Sequence, residues 1–316
     1  MDESDIDQIS KKASETGLLS EDEARTVMRK VYRDGVVSRV EADALFALND
    51  KLFGWAPLWD QFFRGAVKDF VLDAGVPKGW VSEDESDWLI DRITRDGEAR
   101  YETEIDALLD ILRFADGAPE RLGAFALTAI TDRIRQDGRV QAKELDRLRR
   151  ALHAPCSEGA VWVTRREAEA LFELNDAVAS AQNETGWNDL FARAIANHLM
   201  ALAHPSPSNE ADALKRDAWL AEDTAGVTAF LGRMATSFGQ GGWFDKVAYN
   251  AKAASEAREA ARDAAARAAE KVDAAENAWI RERLRQDQTI SPAERALIAF
   301  LHDAAPGLAD GLAAAA

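Results

Sequence analysis

A chain of 316 residues that is 47% hydrophobic and 30% charged has the composition of a water-soluble globular protein, with room for one large or two ordinary domains. Its formal net charge of −17 disfavours nucleic-acid binding, which relies on Lys and Arg against phosphate, and adsorption to anionic membrane surfaces. Cys156 is the only cysteine, so no intrachain disulfide can form, and this fits a reducing compartment.

No run approaches the roughly 20 apolar residues of a membrane span. The acidic start, Met1-Asp2-Glu3-Ser4-Asp5, lacks the basic-then-apolar pattern of a secretion signal. A soluble cytoplasmic protein, with no nucleic-acid partner and no transmembrane segment, is the expectation.

In chain order, residues 4–15 read as a short amphipathic helix. Ser20 with Glu23 is a capping-box pair that starts a second helix, ending at Asp34-Gly35. Ser38 with Glu41 starts a third, whose apolar face is read as Leu45, Phe46, Leu48, Leu52 and Phe53. Pro57 opens an aromatic helix from Trp59 to about Leu72. Ser82 with Glu85 caps a helix through Trp88, Leu89 and Ile93 that stops at Asp96-Gly97. A helix over 102–114 follows.

From Pro119 the pattern begins again. One helix ends at Asp137-Gly138, and the next spans 141–152. Thr164 with Glu167 then caps a helix, and an aromatic helix runs from Trp187. The final elements are a helix through Trp279 and one over 291–301, with Pro292 in its first turn.

The second series reads as a diverged copy of the first. Residues 41–50, Glu-Ala-Asp-Ala-Leu-Phe-Ala-Leu-Asn-Asp, return at 167–176 with Asp43 exchanged for Glu169 and Ala47 for Glu173. The helices at Trp59 and Trp187 then align without a gap, placing Phe63 on Phe191, Ala66 on Ala194, Phe70 on His198 and Leu72 on Met200. Residues 279–287 match 88–96.

The predicted fold is therefore all-α, with two copies of a multi-helix unit built from helix–Asp-Gly turn–helix elements. An N-terminal helix occupies 1–17, the first copy 18–117 and the second 118–306, and an Ala-rich tail covers 307–316. The second copy carries an insertion, 205–278. It opens on a polar Pro-Ser linker, includes the hinge Gly239-Gln240-Gly241-Gly242, and ends in an Ala, Glu and Arg-rich stretch over 247–278. That stretch favours one long, partly solvated helical arm.

Asp34, Gly35 and Glu41, and likewise Asp137, Gly138 and Glu144, have the spacing found late in an EF-hand loop, which makes Asp34, Glu41, Asp137 and Glu144 candidate metal ligands. Calcium needs six to eight oxygens, several from earlier loop positions. Those positions hold Lys30 and Tyr32 in one turn, and Arg133 and Arg135 in the other. The competing reading is structural: Gly ends a helix in the left-handed region and Glu caps the next.

The same residues, Asp34, Gly35, Val37 and Glu41 with Asp137, Gly138, Val140 and Glu144, resemble the turn of TerB-like domains, a helical family linked to bacterial tellurite resistance. The resemblance implies an all-helical fold and a stress-response or envelope-associated role. It transfers no catalytic residue, because none matches.

The candidate polar and aromatic site is Asn49, Asp50 and Trp59 in one copy and Asn175, Asp176 and Trp187 in the other. Side chains that satisfy backbone groups at a helix end would explain the polar pairs structurally. His153 with Cys156 is half a metal site without its second half. His198 is expected on a packed face, since it aligns with Phe70. No catalytic residue, cofactor motif or phosphate loop is present. The expected function is a non-catalytic protein-interaction or scaffold module, with its partner bound through the 245–278 helix. The alternatives are a cation-binding protein of the tellurite-resistance type and an enzyme with a site between the copies.

Overall fold

The computed structural model describes residues 3–53, 57–73, 78–95, 102–152, 163–201, 274–286 and 290–304. Among them are twelve α-helices and no strand. They are α1 (Glu3–Thr16), α2 (Glu21–Val31), α3 (Arg39–Asn49), α4 (Pro57–Asp73), α5 (Glu83–Ile93) and α6 (Glu102–Phe114), then α7 (Glu120–Asp137), α8 (Ala142–Leu152), α9 (Arg165–Val178), α10 (Trp187–Ala201), α11 (Ala274–Gln286) and α12 (Pro292–Ala304). The all-α class is as the sequence predicts. No described helix is long and apolar enough to cross a membrane. The Asp96-Gly97 turn, residues 205–273 of the insertion and the 307–316 tail lie outside the described residues.

Helix starts follow from local chemistry. Ser20, Ser38, Ser82 and Thr164 each accept a hydrogen bond from the third helical N–H, while Glu23, Glu41, Glu85 and Glu167 reach back to the cap. Ser291 and Glu294 make the same exchange ahead of α12, there with both residues buried. Each such cap contributes about 1 kcal/mol by satisfying N–H groups that a helix start leaves open. At the first of them, the Lys12 ammonium donates to Glu23 at 2.6 Å and, with Ser20, holds the Glu23 carboxyl down at about 2. That bond ties α1 to α2.

Helix ends differ more from expectation. α7 stops at Asp137, and Gly138, at φ +72°, donates its N–H to the Ile134 carbonyl, a left-handed C-terminal cap. α1 ends in the same way at Gly17, with φ +67° and a bond to Ala13. α2 does not end at Asp34-Gly35. It ends at Val31 with Tyr32 as its cap, and Gly35 turns the chain further on.

The helices fall into two compact units, one of Met1–Ile130 with Arg150–Ala160, the other of Thr131–Arg149 with Val161–Ala316. In the first, α4 packs along α6. Trp59, Phe62, Phe63, Ala66, Val67, Phe70 and Val71 of α4 are buried, at the spacing of one helical face. α6 is buried nearly all round, including Thr103, Glu104 and Asp106. α6 is more deeply enclosed than the aromatic α4. In the second unit α10 packs along α12 and against α9, with Leu297 and Leu301 of α12 buried.

Two features depart from the predicted pattern. Phe53, read as part of the α3 face, is 91% exposed, because α3 ends at Asn49 and the chain has already turned. The predicted end of the arm, residues 274–278, shares one helix with Trp279, since no Gly or Pro interrupts it. Truncating Phe46, which is only 1% exposed, to Ala is expected to cost about 3–5 kcal/mol. Phe53→Ser is expected to change stability by less than about 1 kcal/mol. Urea unfolding of both variants checks the split.

Candidate functional site

The last residue of α3, Asn49, has no exposed surface. Its Oδ1 accepts from the Trp59 indole Nε1 at 3.0 Å, and its Nδ2 donates to Glu104 Oε1 at 3.1 Å. Glu104 is itself 0% exposed. Its carboxylate also accepts from Arg95 Nη2 at 3.0 Å. Arg95 in turn donates from Nε to Asp50 Oδ2 at 2.6 Å and lies over the Phe46 ring. A buried carboxylate needs a countercharge and donors to offset its lost hydration, and Arg95 and Asn49 supply them. Residues from α3, α4 and α6 meet at this one amide, and Arg95, just after α5, joins them through Glu104.

The sequence brought Asn49, Asp50 and Trp59 forward together, and the structure joins them. Their partners differ from expectation: Asn49 satisfies side chains rather than backbone groups. Glu104 and Arg95 were not singled out. The available signal for Glu104 was its place as third residue of a helix, where Glu294 stands in α12.

A second polar chain continues from α4. Thr103 donates to Asp60, Asp60 pairs with Arg64 at 3.3 Å, and Arg64 donates to Asp110 from Nε at 2.7 Å and Nη2 at 2.6 Å. Arg150 then reaches Asp110 at 2.7 Å and Asp106 at 3.0 Å. These carboxylates face guanidinium groups, an arrangement that orders helices.

The second unit places Asn175, Trp187 and Glu294 in buried positions too. Asn175 Nδ2 donates to Ser291 Oγ at 3.0 Å. Trp187 Nε1 and Glu294 Oε1 are buried with no hydrogen-bond partner. Asp176 is exposed at the surface of α9.

The ring packing of the two units is nearly the same. Phe46 meets Phe63 at 5.1 Å and 78°, and Trp88 at 5.7 Å and 90°. Phe172 meets Phe191 at 5.0 Å and 84°, and Trp279 at 5.6 Å and 87°. Phe70 packs edge-on to Trp88 at 4.8 Å, and His198 to Trp279 at 5.3 Å.

The polar partners of these tryptophans differ. Trp88 Nε1 donates to Asp43 Oδ1 at 2.8 Å. Glu169 stands at the matching position with one more methylene. Its carboxylate bonds Arg165 Nε at 2.9 Å, and Trp279 Nε1 is left without an acceptor.

The candidate metal ligands are used locally. Asp34 Oδ1 accepts from the Val36 N–H at 3.2 Å, and Glu41 is held in its capping box. Asp137 pairs with Arg133 at 3.5 Å, and buried Glu144 lies 3.9 Å from Arg147. Tyr32 donates to Asp69 at 2.7 Å, and burial and that carboxylate push its hydroxyl pKa up. Among the described residues no group of three or more His, Cys, Asp or Glu is arranged to hold a metal ion. His198 lies on a packed face, as its alignment with Phe70 predicts, and His302 is exposed. His153, Cys156 and His204 lie outside the described residues.

No family model, curated protein or solved structure matches the chain.

Asn49→Ala is expected to cost about 2–4 kcal/mol, because it strands the Trp59 indole and takes a donor from a buried carboxylate. Asn175→Ala removes one neutral bond and is expected to cost about 1 kcal/mol. Chemical unfolding of the two single variants gives the ranking. Glu169→Asp shortens the side chain to the length that reaches the indole in the first unit. It is expected to raise stability by about 1 kcal/mol, read as a higher Tm, and an unchanged or lower Tm counts against this account of the indole.

Proposed function

We propose that the protein is a non-catalytic helical scaffold that binds another protein, built from two diverged copies of one six-helix frame. On this reading α1–α6 correspond to α7–α12, so that the Gly17 turn, rather than the Gly35 turn, is the counterpart of the Gly138 turn. The matching ring geometries around Phe46 and Phe172 support the correspondence. The resemblance to TerB-like domains is carried by Asp34, Gly35, Val37 and Glu41 and by Asp137, Gly138, Val140 and Glu144, and a stress-response role rests on that resemblance alone.

One observation carries the scaffold reading. The polar residues that recur between the copies act inside their own unit: Asn49 binds Trp59 and Glu104, Asn175 binds Ser291, and Glu41 and Glu167 cap helices. The insertion is the element without a counterpart, and its 247–278 sequence has the narrow apolar stripe that suits antiparallel packing on a partner helix.

Residues 245–273 can be replaced by a short Gly-Ser linker that leaves α11 whole. The expected outcome is a protein with nearly unchanged Tm that no longer retains the proteins captured by the full chain from native lysate. A large fall in Tm, or insolubility, would place the arm in the core and end this reading.

A further inference from the structure

His198 of α10 has its ring buried between two elements. Its Nδ1 lies 2.9 Å from the Val163 carbonyl, at the entry to α9, and its ring stands edge-on to Trp279 of α11. A carbonyl only accepts, so Nδ1 carries the proton and Nε2 is a bare lone pair. That Nε2 is buried with no hydrogen-bond partner. Its neighbour Asn197 takes the N–H of the same Val163 at 2.7 Å. One turn of α10 therefore fixes both backbone groups of Val163, and His198 also packs the first large side chain of α11.

A second proton on this ring would create an N–H with nothing to accept it, in a site where unpaired charge is costly. Among the described residues, the charged groups that act on the ring are Arg165 and Glu169, both at the start of α9. Arg165 opposes a positive imidazole and Glu169 favours it. The Arg165 guanidinium also lies over the Trp279 ring at 3.9 Å, so that face of the indole is already occupied by a cation. α11 presents the Trp279 ring itself. In the first unit the matching residue is Phe70, packed on Trp88, and it has no proton to gain.

We infer that His198 is an acid-sensitive latch, whose protonation loosens α11 and the start of α9 from α10 while the Phe70–Trp88 contact of the first unit holds. Burial, first among the causes, holds the His198 pKa below the ordinary 6.5, and Arg165 adds to this against the opposing Val163 bond. A histidine harder to protonate when folded contributes stability above its unfolded pKa. That contribution is lost as pH falls below about 6.5 toward the folded value.

Hydrogen exchange of the full chain, resolved by peptide and corrected for intrinsic rates, tests this at about pH 7.5 and about pH 5.5. The expected result is a loss of protection in α11 and the start of α9 that exceeds any loss in α5, by up to about tenfold, because pH 5.5 lies about one unit below the unfolded-state pKa. His198→Phe, which installs the residue of the first unit, is expected to remove the difference. Equal losses in α5 and α11, or a persisting difference in His198→Phe, would overturn the latch. If that variant does not fold, NMR titration of the wild-type imidazoles decides: a depressed folded-state pKa at His198 supports the latch, and one at or above 6.5 refutes it.

Discussion

The first unit depends on a carboxylate buried without surface. Arg95 and the Asn49 amide reach Glu104 there, and Asn49 does so while holding the Trp59 indole. Hydrophobic contact tolerates small shifts of one helix along another, whereas a buried hydrogen-bonded triad does not. The amide therefore sets the register of α3 against α4 and α6. The aromatic cluster of Phe46, Phe63 and Trp88 supplies the area around that fixed point.

The second unit has nearly the same ring packing around Phe172 but different polar partners. Asn175 turns to Ser291, and the two indoles, Trp187 and Trp279, are without acceptors. Asp43 accepts from the Trp88 indole and also lies 2.8 Å from Arg92 Nε, whereas Glu169, one methylene longer, bonds Arg165. Apolar packing is the tolerant layer of this architecture. The two units differ in their hydrogen-bond layer, and that is where their stabilities should differ.

The sequence disclosed what local chemistry controls. Ser or Thr followed at the third helical position by Glu marked helix starts from Ser20 to Thr164, because a capping box needs only neighbouring residues. Burial of Trp59, Trp187 and His198 was legible from matched apolar register. Phe53 was misread because periodicity continues past Asn49 in the sequence, while the backbone does not. The Asp34-Gly35 pair was read as a helix stop, although α2 ends earlier, at Val31. The partners of Asn49 were hidden because Glu104 lies 55 residues away along the chain, a pairing that only packing creates.

The unbroken course of α11 has a mechanical meaning. A helix resists twisting and bending far more than a loop does, so a displacement imposed where the chain enters at Ala274 travels along the rod to Trp279. Trp279 touches Phe172, His198 and Arg165. A pull or rotation applied there is thus delivered as a push on the buried Phe172 and His198 and on the exposed Arg165, rather than being absorbed at a flexible joint.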